Sequence, residues 1–273
     1  MKIKRRIGTM MLLALSLCAA QSLVAQSATP GASQLSNPTP TTTCAATFTS
    51  GSGKNQTQFC VTQNGNITQF SRGGNEFISS GRGEGYCLQP LNPNGSAGTY
   101  YYDYASQDSG NWDASEFSSN ATGASITRST NDGNWQITQT ITRVAASTAG
   151  PGAAKLSMKV KNLTGEDHWI MLGRWVDVNI GTDPTRNYFF DTADSAYGID
   201  LFTAGLGITN NTFHLKDQET SNAAFFFTNV VPPNTCMSFG FSPFQGDSSL
   251  FLTYKILVTA HGTRTVAATY KPI

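Results

Sequence analysis

Two stretches, Trp135-Gln-Ile-Thr-Gln-Thr-Ile-Thr-Arg143 and Lys155-Leu-Ser-Met-Lys-Val-Lys161, alternate apolar and polar residues with a period of two. In the first, Trp135, Ile137 and Ile141 share one side, while Gln136, Thr138, Thr140 and Thr142 take the other. In the second, Leu156, Met158 and Val160 oppose Lys155, Ser157, Lys159 and Lys161. This is the period of a strand with one buried and one wet face, not of a helix.

Working outward from these strands, the rest of the chain reads the same way. Asn162-Leu-Thr-Gly165 turns into a strand over His168–Ile180. Cys236–Phe241 and Leu250–Ala260 are apolar, and Arg264–Tyr270 alternates again; the short connection His261-Gly-Thr263 predicts a terminal hairpin. Toward the N-terminus, Ala46–Ser50 and Thr57–Thr62 flank Gly51-Ser-Gly53, and Asn64-Gly65 predicts a tight type I′ turn into Ile67–Phe70. Phe77–Ser79 and Gly85–Leu88 are short further strands. No helix of globular length is recognisable. Roughly 12–14 strands suffice for an all-β, two-sheet β-sandwich, with Trp135, Ile137, Leu156, Met158, Val160, Leu172, Val176, Leu252 and Ile256 in its core.

Composition agrees. Only 13% of the 273 residues are charged, and Gly, Ser, Thr and Asn are frequent, as in a β protein with many turns. Residues 1–28 read as a signal peptide: Lys2, Lys4, Arg5 and Arg6, then an apolar Met10–Ala20 too short to span a bilayer, then small residues that offer cleavage sites. Arg5-Arg6 is followed by Gly8 where a twin-arginine signal has a large apolar residue, and Leu17 precedes Cys18 where a lipidation signal has a small one. Removing four basic residues from 18 Lys/Arg leaves 14 against 17 Asp/Glu, a formal charge of −3. That excludes a basic nucleic-acid-binding surface as the organising feature. No second long apolar segment follows, so the mature chain is expected to have no transmembrane segment and to be secreted or periplasmic. Residues 29–43, with Pro30, Pro38, Pro40 and a threonine run, read as a flexible segment, and 44–273 as a single β-sandwich domain.

Four cysteines remain after the leader: Cys44, Cys60, Cys87 and Cys236. An even number in an exported chain predicts two disulfides, with three pairings open. Cys44 and Cys60 bracket the Gly51–Gly53 turn almost symmetrically, which favours Cys44–Cys60 with Cys87–Cys236. Zinc is disfavoured, since no close cysteine pair or adjacent histidine completes a ligand set.

The richest cluster of chemistry-bearing side chains is His168–Ile180. Ile170, Leu172, Val176, Val178 and Ile180 point to one side as core. Trp169, Trp175, Asp177 and Asn179 point to the other, together with Met171. Indoles beside a carboxylate and an amide suit stacking on a sugar ring, so these four residues form the candidate ligand-binding set; packing under a second layer is the competing reading. Arg174 falls on the apolar side, where it snorkels past the edge, marks a bulge or forms a buried ion pair with a partner such as Asp191. Asp177, Asn179, Gly181 and Asp183 alternate oxygen donors as calcium loops do, with Asp191 and Asp194 as further donors. Thr182 and Tyr188 nevertheless stand where an EF-hand needs Gly and Glu. No cofactor is otherwise implied. Acid–base candidates are Asp177, Asp191, Asp194, Glu166 and His168. No zinc-peptidase or serine-hydrolase motif occurs. Tyr100–Tyr104 with Trp112 form a second aromatic concentration, either a glycan or protein platform or a local core.

Leu156–Asn162, Trp169–Asn179 and Asn187-Tyr-Phe-Phe-Asp191 resemble strand patterns of the supersandwich fold of sugar mutarotases and related carbohydrate-active proteins. The resemblance covers about 40 residues of β alternation and implies a fold; the histidine motifs of the sugar epimerases are absent, and a scaffold does not determine its chemistry. Three function classes follow: non-catalytic carbohydrate binding, an enzyme acting on a glycan (hydrolase, lyase or epimerase) with Asp177 and Asp191 or Asp194 as its carboxylates, and an extracellular structural or assembly protein. The partner is a glycan or a surface protein.

Overall fold

The computed structural model of the chain describes residues 43–78, 83–105, 107–200, 204–212, 218–226, 235–236 and 243–273. All belong to the compact unit Leu35–Ile273. The expected signal peptide, nearly all of the expected flexible segment and the strand expected at Cys236–Phe241 beyond its first residue lie outside the described residues.

The fold is an all-β sandwich. The first four strands, β1 (Cys44–Ser50), β2 (Thr57–Thr62), β3 (Ile67–Arg72) and β4 (Asn75–Glu76), form a four-stranded antiparallel sheet in sequence order. A six-stranded sheet is built from β5 (Glu84–Pro90), β6 (Tyr101–Tyr104), β7 (Gln107–Asp108), β12 (His168–Val178), β16 (Gln218–Phe226) and β18 (Ser248–Val258). The remaining strands make a nine-stranded sheet: β8 (Glu116–Ser119), β9 (Gly123–Ser129), β10 (Trp135–Val144), β11 (Ala153–Asn162), β13 (Asn187–Asp191), β14 (Ser195–Asp200), β15 (Ala204–Asn210), β17 (Phe244–Gln245) and β19 (Thr263–Pro272). All pairings are antiparallel, with β12 between β18 and β5, and β11 between β10 and β19. Among the described residues the helical turns are two 3-10 segments, Gly53–Asn55 and Pro184–Arg186.

Strand parity builds the core. Trp135, Ile137, Leu156, Met158, Val160, Leu172, Val176, Leu252 and Ile256 are all buried in one apolar cluster between the sheets. The four-stranded sheet adds Phe48, Phe59 and Phe70 to it, ring against ring, and Phe70 meets Tyr270 of β19 at 6.4 Å.

Three local readings are corrected. The expected terminal hairpin does not form: β18 pairs with β12 and β16, whereas β19 pairs with β11 and β15, so Thr259–Gly262 is an arch between two sheets. A short connection sets proximity, not pairing, and each long strand finds a better partner elsewhere. The Asn64-Gly65 turn is not type I′, because of its residues only Gly65 has a positive φ (89°). Gly65 N–H donates to Thr62 O and Thr62 N–H to Asn66 O, giving a three-residue loop that ends on a left-handed glycine. Cys44 and Cys60 are bonded, as are Cys87 and Cys236. They are not opposed in register, however: a bulge near Cys44 sets it opposite Thr62 and Cys60 opposite Thr47.

Arg174 is buried and ion-paired, with Glu84 of β5 and not with Asp191. Its guanidinium also donates to Gly65 O and to Gln139 of β10, while Tyr270 of β19 donates to Glu84. One buried cluster thus reaches all three sheets. A second buried pair, Arg128–Asp103, lies near it, with Tyr86 and Asn66 as further partners. Buried ions hold only when every charge is matched, which accounts for this density of polar partners.

Candidate functional site: a groove at the end of the sandwich

At one end of the sandwich the chain crosses between sheets twice, at Leu163–Asp167 and at Thr259–Gly262. Asn162, the buried last residue of β11, joins both arches. Its side-chain N–H groups are shared among Glu166 O (2.6 Å), Thr259 O (3.2 Å) and Val258 O (3.3 Å), and its carbonyl accepts from Thr164 N–H and O–H. Asp167 accepts from Ala260 N–H at 2.7 Å. These bonds satisfy strand-end backbone groups that would otherwise be stranded where the ladders stop.

The first arch lines an open groove of 440 Å³ together with the loop Leu91–Thr99, the β9–β10 turn and the first residues of β12. The loop closes on itself, Asn92 N–H to Ser96 O and Gly98 N–H to Pro90 O, both 2.8 Å. Trp169, half-buried, presents its indole to the groove, and the Lys255 ammonium lies 5.2 Å from its ring centroid. His168 meets the buried Trp135 edge-on at 5.6 Å. Asp132, at the β9–β10 turn, accepts from the Tyr101 hydroxyl and from Asn134 N–H and Nδ2, fixing two lining residues. Burial acts to raise the Asp132 carboxyl, but the donors Thr130, Tyr101 and Asn134 outweigh it and hold it below the usual range. Burial and the Asp132 contact push the Tyr101 hydroxyl up to about 12. Glu166 and Asp167 are exposed at the rim. The groove therefore offers one aromatic face with amide, carboxylate, imidazole and ammonium groups around it, a set able to stack on a ring and to hydrogen-bond hydroxyls.

Of the four residues expected to bind ligand, Trp169 lines this groove. Trp175 is 1% exposed and packs with Tyr104, Met171, Phe251 and the Cys87–Cys236 bridge in a second apolar cluster on the outer face of the six-stranded sheet. Tyr104 meets its ring edge-on at 5.2 Å. Parity placed Trp175 on the correct face, where Tyr104, Phe251 and the Cys87–Cys236 bridge cover it. Asp177 is 5% exposed and its N–H donates to Gly83 O, while Asn179, half-buried, donates to Phe77 O.

Of the acid–base candidates, Glu166 and His168 share the groove. Asp177 stands on the six-stranded sheet, Asp191 on the nine-stranded sheet and Asp194 in the turn after it, and none lines the described cavities. Burial raises the Asp191 carboxyl. Asp183, expected as a calcium donor, caps the Pro184–Arg186 turn through Thr185, whose donated bonds lower its carboxyl. Among the described residues no group of three or more His, Cys, Asp or Glu converges to hold a metal. The tyrosine run divides by parity. Tyr100, Tyr102 and Tyr104 stack in sequence toward Trp175, whereas Tyr101 turns inward against Trp112.

Sequence reasoning missed Asn134, Asp167, Lys255 and the Leu91–Thr99 loop. Lys255 carried a signal: it is the one charge in the apolar strand Leu250–Val258, on the parity that faces the Trp169 side.

No family model and no curated protein matches the chain. Solved structures do. A bacterial glucoamylase complexed with acarbose is similar with a TM-score of 0.58 at 10% identity, over 85% of this chain and 32% of that one. An aldose 1-epimerase candidate from Escherichia coli K12 is similar with a TM-score of 0.50 at 9% identity, over 84% of this chain and 99% of that one. The chain spans about a third of the glucoamylase and nearly the whole of the epimerase-like chain. At such identities the likeness is one of fold: the chain has the all-β sandwich found in these carbohydrate-active proteins. Its two disulfides support an extracytoplasmic location. Among the described residues no helix is long and apolar enough to cross a membrane.

Proposed function

We propose that the chain is an exported glycan-binding protein whose ligand lies in the end groove. The observation that carries this is Trp169, a half-buried indole at the mouth of an open groove, backed by Lys255 and surrounded by hydrogen-bonding side chains. A sugar ring stacks on the indole, and Asn134, Glu166 and His168 reach its hydroxyls. Trp175, buried within the second apolar cluster, does not touch ligand. Residues 1–28 are the signal peptide, 29–43 a flexible segment and 44–273 the binding domain, in a secreted or periplasmic protein. Titration of Trp169→Ala against an oligosaccharide panel tests the reading. Binding by the native protein that weakens by roughly 1–3 kcal/mol in the variant supports it, and equal binding by both overturns it.

The second reading is an enzyme acting on a glycan, with Glu166 and His168 as acid and base. The presence of both groups in one groove supports it, as does the occurrence of the fold in a glucoamylase and an aldose-epimerase-like protein. Incubation with the bound oligosaccharides, followed by analysis of chain length and anomeric ratio, separates the two. Turnover lost in Glu166→Gln selects the enzyme, and unchanged sugar selects the binder.

A further inference from the structure

A separate cavity of 520 Å³ lies on the outer face of the nine-stranded sheet. Parity places its residues: Phe189, Ala196, Leu206, Ile208 and Tyr270 point into the core, so Phe190, Tyr197, Gly207 and Lys271 point out. Register then aligns them in a single cross-strand row, since Phe190 pairs with Tyr197, Tyr197 with Gly207, and Gly207 with Lys271. The two rings are half-buried and stacked, with centroids 4.8 Å apart and planes 24° from parallel. A Cβ on Gly207 would come within 2.8 Å of Tyr197 Cδ1, so the missing side chain is what leaves room for the tyrosine and opens a notch between its ring and Lys271.

Among the described residues, the charged side chains that line this notch, Lys271 and Arg72, are both cationic. Lys271 is exposed, and Arg72 joins the wall from β3, steered by Asn55 Oδ1 (3.0 Å) and Ile273 O (3.3 Å). Among the described residues no acidic side chain lines the cavity. Exposed Lys155 and Lys159 continue the cationic face along β11, with Lys155 opposite Thr269 in the strand beside Thr209. Tyr197 and Lys271 stand two strands apart, about 10 Å, so one sugar ring against the tyrosine brings its acidic substituent to the lysine. A shallow, extended sheet face suits a polymer better than an enclosed small molecule.

We propose that the row Phe190–Tyr197–Gly207–Lys271, with Arg72, is a second binding site, distinct from the end groove, for an acidic saccharide. A sugar ring lies against Tyr197, and its carboxylate or sulfate is held by Lys271 and Arg72.

Calorimetric titration of the full chain with trigalacturonate, with its neutral methyl ester and with a sulfated trisaccharide tests this site. An anionic probe should bind about tenfold or more tightly than the ester, and binding should weaken as salt is raised. Carboxylate-only or sulfate-only binding identifies the ligand type within the proposal. Tyr197→Ala and the exposed, fold-neutral Lys271→Gln should each lose about tenfold in affinity, while Trp169→Ala leaves it unchanged. Equal binding of acid and ester, no binding of any probe, or loss confined to Trp169→Ala overturns the second site. The last outcome leaves the end-groove reading standing, and failure of that groove with neutral glycans leaves this site untouched.

Discussion

Both terminal nitrogens of Arg174 donate to the carbonyl of Gly65, at 3.3 and 3.2 Å, so the turn of the N-terminal hairpin is plugged into the middle of the sandwich. The left-handed glycine aims that carbonyl inward. A Cβ at this position would lie 2.5 Å from Gln139 Nε2, the side chain that holds Arg174 from the opposite sheet. Gly65→Ala is therefore expected to cost on the order of 1–3 kcal/mol through backbone strain alone, with the displaced Gln139 adding to it. A urea midpoint equal to the native one would refute this account of the turn.

Removing one half of the buried pair is costlier than removing both. Arg174→Met strands Glu84 and is expected to destabilise by about 3–5 kcal/mol, and adding Glu84→Leu should recover part of that loss. Chemical denaturation of the two variants decides the point, and a double variant less stable than the single one contradicts it.

The same pair sets a pH dependence. Burial pushes the Glu84 carboxyl up to about 7, although Arg174, the Ile67 N–H and the Tyr270 hydroxyl pull it down. Burial likewise takes Asp103 to about 6 against the pull of Arg128 and Asn66. Unfolded, the two groups titrate near 4.5 and 3.8. The folded state therefore holds more protons in between, and stability contributed by these groups is full below about pH 4 and is lost as pH rises toward 7. Urea midpoints should fall across that window, and Glu84→Gln should flatten the slope. A slope unchanged in that variant would remove Glu84 from the explanation.

The two tryptophans of β12 should separate cleanly. Trp175→Ala opens a cavity beside Tyr104 and the Cys87–Cys236 bridge and is expected to cost about 3–5 kcal/mol of stability. Trp169→Ala should leave the melting temperature within about 2 °C of native, as for a surface change. Parallel thermal melts check this, and similar destabilisation by both would place Trp169 in the core.

The two bridges differ in span, 16 residues for Cys44–Cys60 and 149 for Cys87–Cys236. In the chain-entropy model the closures are worth about 3 and 5 kcal/mol. Replacing Cys87 and Cys236 by serine should accordingly lower the denaturation midpoint more than the same change at Cys44 and Cys60. The reverse order would show that strain or residual structure outweighs loop length.

Much of this architecture was legible in the sequence, because parity is local. The alternation in β10, β11 and β12 assigned Ile137, Leu156 and Leu172 to the core without knowledge of their partners. What lay beyond local reach was what covers a face and which strand pairs with which. Trp175 sits on the side that parity assigns, but Tyr104, Phe251 and the distant Cys236, from other strands and segments, bury it. The partner of Arg174 is Glu84, 90 positions earlier, because β5 lies beside β12 in the sheet. The arch at Thr259–Gly262 reads like a hairpin turn, since a turn's residues record its bend and not the sheets it joins. The groove is assembled from four separate segments, and of them Trp169, His168 and Glu166 stood out beforehand because they lie together at the head of β12 and in the turn just before it.

The division of labour at the groove has a consequence for how this protein can diverge. Asn162 locks both arches to the sheet ends, whereas Leu91–Thr99 is an excursion between β5 and β6 that closes on itself at its base and is tied to β12 at one point, Leu91 N–H to Trp169 O. That loop can lengthen, shorten or change composition while the register of β5 and β6 stays put. If the groove binds as proposed, this loop is an exchangeable cassette beside a fixed frame, and changes in ligand preference can accumulate there at little expense to folding.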